Sequence, residues 1–176
     1  MGNGSDGIKM KTMKNLQQYI PDEPQLGASV IYLRCEEGKD WYQSQSEFSA
    51  ETIKLAVNSS GVICALSDDV SRLWPVGLTV VEVDKTNIPE GVSASGEWLF
   101  DGTNISRDEV TVAKKEKRRL LNEANSHISS LQDRSDVGVA TKSETSQLTD
   151  WKKYRIELNN VDTDKAPDIT WPEIPA

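Results

Sequence analysis

"SRDEVTVAKKEKRRLLNEANSHISSL" spans residues 106–131, and along it the spacing of apolar residues changes. Val110, Ala113, Leu120, Leu121, Ala124, Ile128 and Leu131 recur three and four apart, which puts them on one face of a helix. The stretch opens on a capping-box pattern, with Ser106 at the N-cap and Glu109 at the third helical position. The spacing predicts a helix over about 107–131. "DRSDVGVA" (133–140) interrupts it, and a second capping box, Thr141 with Glu144, precedes Leu148, Trp151, Tyr154, Arg155 and Leu158. Two helices joined by a short loop bury such stripes on each other as an antiparallel hairpin, assigned to residues 106–161. From Asp162 on, Pro167, Pro172 and Pro175 forbid helix and predict an extended tail, 162–176.

Upstream, the pattern is that of strands. "ASVIYLR" (28–34) and "DWYQSQSEF" (40–48) flank the turn-like "EEGK". "TIKLAV" (52–57) places Ile53, Leu55 and Val57 on one face. The "NSSG" turn leads into "VICAL", so residues 52–66 read as a hairpin. In "SDDVSRLWP", Ser67 as N-cap, two acids and a stopping Pro75 suit a single helical turn presenting Val70, Leu73 and Trp74. "LTVVEV" (78–83) is a further strand, "PEG" (89–91) a turn, and the Asp-Gly pair of "EWLFDGTNI" a tight hairpin turn. The fold class is therefore α+β. A leader (1–12) and a small β-rich domain (13–105) precede the helical hairpin and the tail.

The chain has 176 residues, enough for a core without staples. Cys35 and Cys64 both lie in apolar runs and read as buried free thiols, too few for a disulfide framework or a cysteine zinc site. No apolar run approaches the ~18 residues of a membrane span. The opening "MGNGSDGIKMKTMK" lacks a signal peptide's apolar stretch, carries Asp6 where myristoylation wants Ser or Thr, and reads as a flexible leader. A cytoplasmic location follows as an expectation. The formal charge of −8 is uneven: residues 1–105 carry 8 Lys and Arg against 15 Asp and Glu, and residues 106–176 carry 12 against 13. That balance disfavours nucleic acid, and the "KKEKRR" cluster (114–119) spreads around a helix as a solvated face.

Catalytic patterns are missing. His127 is the single histidine, so neither a Ser/His/Asp set nor a histidine metal site is argued from it. Asp68 and Asp69 suit a helix start better than a calcium loop, and no phosphate-binding glycine loop occurs. Two glycosylation-like triplets, at Asn58 and Asn104, and the P-x-x-P at 172–175 are short enough to arise by chance. No enzyme activity, metal or cofactor is expected. The aromatic residues carry more. Trp41, Tyr42, Trp74, Trp98 and Phe100 exceed what a small core needs, and any that are exposed would anchor a partner, because such side chains dominate binding hot spots.

"DGTNISRDE", "ISSLQDRSDVGVATKSETSQLTDWKKYRIELNNVD" and "APDITWPEIP", taken in order, resemble the tail fibre assembly proteins of Mu-like and lambda-like tailed bacteriophages. The resemblance covers roughly residues 96–176 and is looser over 13–95. It implies a chaperone, acting in the host cytoplasm, that binds the carboxy-terminal end of a trimeric fibre protein and helps it fold and trimerise. In some phages of this kind the chaperone stays on the fibre tip. The resemblance implies that the amino-terminal region engages the fibre, and it makes Trp151, Tyr154, Arg155, Leu158, Asp162, Pro167, Asp168, Trp171 and Pro172 structural motif residues. The "APDITWP" tail is expected to fold back so that Trp171 covers the Trp151, Tyr154, Arg155 and Leu158 surface, with Asp162 or Asp168 pairing with Arg155. The rival arrangement leaves Trp171 exposed as a docking peptide. An alternative function is a virion tip component binding host-surface glycan or receptor directly, with Trp41 or Trp74 stacking on sugars.

Overall fold

Over the described residues, 10–176, the computed structural model runs β1 (Thr12–Met13), β2 (Gln17–Tyr19), β3 (Tyr32–Arg34), α1 (Trp41–Ser44), β4 (Thr52–Val57), β5 (Ile63–Ser67), β6 (Thr79–Asp84), β7 (Trp98–Phe100), β8 (Ile105–Arg107), α2 (Glu109–Asp136) and α3 (Lys142–Asn159). The α+β class is as read from the sequence. The chain divides into two units between Arg107 and Asp108. The expected leader lies outside the described residues up to residue 9, and Thr12 already pairs with Val81.

In the first unit an antiparallel sheet is ordered β1-β6-β4-β5. Both of its faces are buried, and period-2 alternation sorts the residues between them. Ala56 and Val80 face a core with Met13, Leu16, Leu33, Trp41, Phe48 and Leu73. Leu55, Val57, Val81 and Val83 face a second core with Ile63, flanked by Ile88, Trp98, Phe100 and Ile105. Trp41, Tyr42, Trp98 and Phe100 thus pack into or against two cores rather than one small one, and Trp74 belongs to neither.

At one end of the first face, the alternation delivers Lys54 and Glu82, paired in register, to buried positions. Lys54 Nζ donates to the Ser49, Thr52 and Asp68 carbonyls, while Glu82 accepts from the Lys11 and Ser49 amides and the Thr52 hydroxyl. Every charged atom there has a partner, which is the condition for burying it.

Residues 40–48, expected as a strand, are helical: α1 is followed by a 3-10 turn over Gln45–Glu47. The Asp40 carboxylate accepts from the Gln43 amide and caps the turn, which leaves Trp41 and Phe48 facing inward edge to face at 6.0 Å. At 67–75 the single turn forms over Val70–Arg72, but its N-cap is Asp69, not Ser67. Cys35 is buried, whereas Cys64 is exposed. The register slips between Ala56 and Val57, pairing Ala65 and Ile63 with them, and the intervening Cys64 becomes the unpaired residue of a bulge.

In the second unit α2 starts at Glu109 with Asp108 as N-cap, not Ser106. Ser106 is taken by the β7–β8 ribbon, opposite Leu99, and the Asp108 carboxylate accepts from the Thr111 amide instead. The helix also outlasts the expected end at 131. It runs to Asp136 and stops at Gly138, which adopts φ +75°. The Thr141–Glu144 capping box is formed in both directions, and Glu144 also binds Arg134 Nε at 2.9 Å. Leu120, Ala124, Ile128, Leu148, Trp151, Tyr154 and Leu158 make the core between α2 and α3, with Trp171 packed against it.

Candidate functional site

Five aromatic residues were candidates for partner binding, and the first unit does not bring them together on one surface. Trp41 is 0% exposed and is the centre of the first core, so it anchors the fold and not a partner. Trp98 and Phe100 are half-buried against the second core. Tyr42 is half-buried, with its hydroxyl donating to the Ile31 carbonyl. Trp74 alone of the five is largely exposed, at 49%.

Local backbone geometry explains Trp74. After the Val70–Arg72 turn Leu73 is extended and the Val76 amide turns back onto the Trp74 carbonyl, at 3.1 Å; Leu73 and Pro75 are buried, while Trp74 and Val76 are exposed. The Leu78 amide closes the segment onto the Pro75 carbonyl and the Gly77 amide onto the Leu16 carbonyl, at 3.1 and 2.7 Å. Trp74 therefore stands out on a loop tied by backbone hydrogen bonds, and an aromatic side chain, with two torsions to order, loses little entropy on binding.

Between β2 and β3, residues 20–31 form turns, and the strand expected over 28–34 is confined to Tyr32–Arg34. Ile20, Leu26 and Ile31 are exposed there. Tyr19 and Tyr32 meet edge to face at 6.3 Å, and Tyr32 and Tyr42 do so at 5.9 Å. These rings wall a cleft of about 230 Å³ together with Glu23, Leu26 and Asp40. Tyr19 donates to Asp40 Oδ2 at 2.8 Å, and burial, reinforced by that bond, pushes its pKa up to about 12. The only signal in the sequence was isolated apolar residues within a Pro- and acid-rich segment, "IPDEPQLGASVI".

A larger cleft, about 800 Å³, runs beside the main sheet. The 58–61 and 100–103 turns, Thr79, Val81 and Asp84 line it. Gly61 is required there: its φ is +81°, and a Cβ would lie 2.8 Å from the Phe100 carbonyl oxygen. The Phe100 amide donates to the Gly61 carbonyl at 2.8 Å, which ties the two hairpins together.

Trp151, Tyr154 and Leu158 are buried, and His127 stacks on Trp151 at 4.0 Å. Neither Asp162 nor Asp168 pairs with Arg155, which donates to Asn125 Oδ1 at 3.0 Å. Asp162 is the N-cap of a 3-10 turn over Thr163–Lys165, and the Asp168 amide donates to the Lys165 carbonyl. Pro167, Ile169 and Trp171 border a small cleft against Val112 and Ala113, and Pro172 lines another with Asp168. In the basic cluster, Lys117 donates to the carbonyls of Asn159, the last residue of α3, and of Val161 just beyond it, and Arg119 binds Glu116 and Glu123. Among the described residues no three His, Cys, Asp or Glu side chains are grouped to hold a metal ion, and no helix is long and apolar enough to cross a membrane.

Known proteins match this chain over nearly its whole length. A family model described as "Caudovirales tail fibre assembly protein, lambda gpK" matches residues 43–176. Tail fiber assembly protein U of Escherichia phage Mu is 32% identical over 174 residues, covering 96% of each chain. The probable tail fiber assembly protein of Escherichia phage P2 is 32% identical over 177 residues, covering 94% of this chain and 99% of its own. The tail fiber assembly protein of Escherichia phage lambda is 46% identical over 78 residues, 44% of this chain and 40% of its own. These names describe assembly proteins rather than enzymes, and with the model spanning both units the chain belongs to the tail fibre assembly protein family of the Caudovirales.

Proposed function

We propose that the protein is a non-enzymatic fibre chaperone of the host cytoplasm that binds the carboxy-terminal end of its cognate tail fibre protein, promotes folding and trimerisation, and stays on the fibre tip. Family membership sets the process. The observation that carries the binding role is the fixed outward Trp74–Val76 loop, supplemented by exposed Ile20, Leu26 and Ile31. Intertwined β-rich trimers form long-range contacts slowly and expose strand edges and apolar surface meanwhile. A protein that binds the assembling state shifts the equilibrium by mass action, without nucleotide.

Co-expression with the fibre's carboxy-terminal segment, followed by size exclusion and unheated gel electrophoresis, tests this. A soluble trimer that forms only with this protein supports the role, and co-elution supports retention at the tip. A fibre that trimerises equally well alone, with nothing co-eluting, refutes it. A second reading, direct binding of host-surface glycan, is favoured by the polar cleft of about 800 Å³ with Phe100 in its wall. Glycan arrays probed with the free protein and with the fibre complex separate the two.

A further inference from the structure

The cleft between β2, β3 and α1 has a composition that selects its ligand. Three tyrosines line it, with their rings nearly perpendicular in sequence, at 75° and 83°; Tyr19 and Tyr42 are half-buried and Tyr32 is buried behind them. Ring faces carry partial negative charge and attract cations. The wall adds the carboxyl groups of Glu23 and Asp40 and no Lys, Arg or His. Asp40 is held in place by Tyr19 and the Gln43 amide. Glu23 is exposed, and no described cation pairs with it.

One ring of the set already binds a cation. The Arg34 guanidinium lies 5.1 Å from the centre of the Tyr19 ring. Arg34 is not part of this cleft; it lines a neighbouring groove with Asn15 and Gln17. At about 230 Å³ the cleft falls below the ~300–1,000 Å³ of small-molecule sites, a size for one side chain rather than an oligosaccharide. The unit around it is acidic, with 15 carboxylate residues against 9 Lys and Arg over residues 1–107.

We propose that the Tyr19, Tyr32 and Tyr42 cleft receives an arginine or lysine side chain of the fibre protein, held by the ring faces and by the Glu23 and Asp40 carboxylates. This rests on the fibre-binding role proposed above. The cation is the specificity element of that contact, and the exposed Leu26 and Ile31 supply apolar area beside it. An exposed ion pair contributes little alone; the rings add an attraction that salt screens less fully.

The test has two arms, so that the cleft and the fibre-binding role can fail separately. In the first, the full chain is titrated with N-acetylarginine amide, with N-acetylnorleucine amide and methyl glucoside as controls, and tyrosine resonances are followed by NMR. Shifts of the three tyrosines with the arginine compound alone support the cleft. A response to the glucoside and not to the arginine compound, or to neither, overturns it.

In the second arm, binding of the fibre's carboxy-terminal segment is compared for wild type, Glu23→Gln, Tyr42→Phe and Tyr42→Leu, with melting curves as the control for folding. Glu23→Gln and Tyr42→Leu are expected to weaken binding about fivefold or more, while Tyr42→Phe, which keeps the ring, stays within about twofold. If wild type binds and Glu23→Gln, with an unchanged melt, binds within about twofold, the cleft is not the contact although the chaperone role stands. If wild type binds no fibre while the arginine compound still shifts the tyrosines, the fibre role fails and the fibre is not the source of the cation.

Discussion

Tyr154 buries its side chain to 3% exposure, and its hydroxyl has no hydrogen-bond partner. Burial also raises its pKa, so the group stays a neutral phenol that has lost water without gaining an acceptor. Tyr154→Phe keeps the edge-to-face contact with Trp151 and removes the unsatisfied atom. It is expected to stabilise the protein by about 1 kcal/mol in urea unfolding; a loss of similar size would reveal a partner for the hydroxyl. Lys54 is the opposite case: 2% exposed and fully engaged with three carbonyls. Lys54→Met fills the same space but strands those carbonyls and leaves Glu82 without its cationic neighbour. A cost of about 3 kcal/mol is expected from the same unfolding experiment. Neither role was legible in the sequence, where Lys54 is one polar letter in an alternating strand. Trp41 and Trp74 were equally indistinguishable there, since burial depends on what packs from elsewhere in the chain.

Elements were legible where local chemistry has one solution. The Asp-Gly hairpin, the Thr52–Val57 strand and the Thr141–Glu144 box formed as read. Residues 40–48 misled because one helical turn is too short to display a period, and its cause is a cap by Asp40. The start of α2 misled because Ser106 and Asp108 are both good caps, and a strand pairing made elsewhere decides between them. The caps also set a pH response. Hydrogen bonds from Thr111, first its hydroxyl and then its amide, hold Asp108 below the usual carboxylate range; bonds from Ser71 and Thr86 do the same for Asp69 and Asp84. Because the folded values are depressed, this stability is present above the unfolded value near ~3.9 and is lost as pH falls through the folded ones. Melting temperature is therefore expected to fall on acidification below about pH 4. Asp108→Asn, a neutral residue that also caps well, should match wild type at neutral pH and lose less on acidification. An identical acid profile would assign the loss to other groups. Thr141→Ala breaks the box at α3 and is expected to cost about 1 kcal/mol at neutral pH, read by urea unfolding.

At the scale of the whole molecule, each unit has cores of its own, and in the second the closing tail completes the core. Leu120, Ala124, Ile128, Leu148, Trp151 and Leu158 leave a helical pair whose packing continues onto Trp171. A two-helix hairpin alone has little to bury; a half-buried indole is a sizeable addition. Residues 108–176 expressed alone are therefore expected to fold, with helical circular dichroism and a cooperative melt. Trp171→Ala in that fragment should cost about 2 kcal/mol, less than for a fully buried tryptophan, and lower its melting temperature by about 10 °C. Deleting residues 163–176 should lower it further, since Ile169 and the Thr163–Lys165 turn go as well. If the deletion leaves the melt unchanged but the full chain without those residues no longer binds the fibre segment, the tail is a docking peptide. The contact of Trp171 with the helices would then contribute nothing to stability. A lowered melt with fibre binding retained after refolding at low temperature assigns the aromatic ending to the core of its own unit.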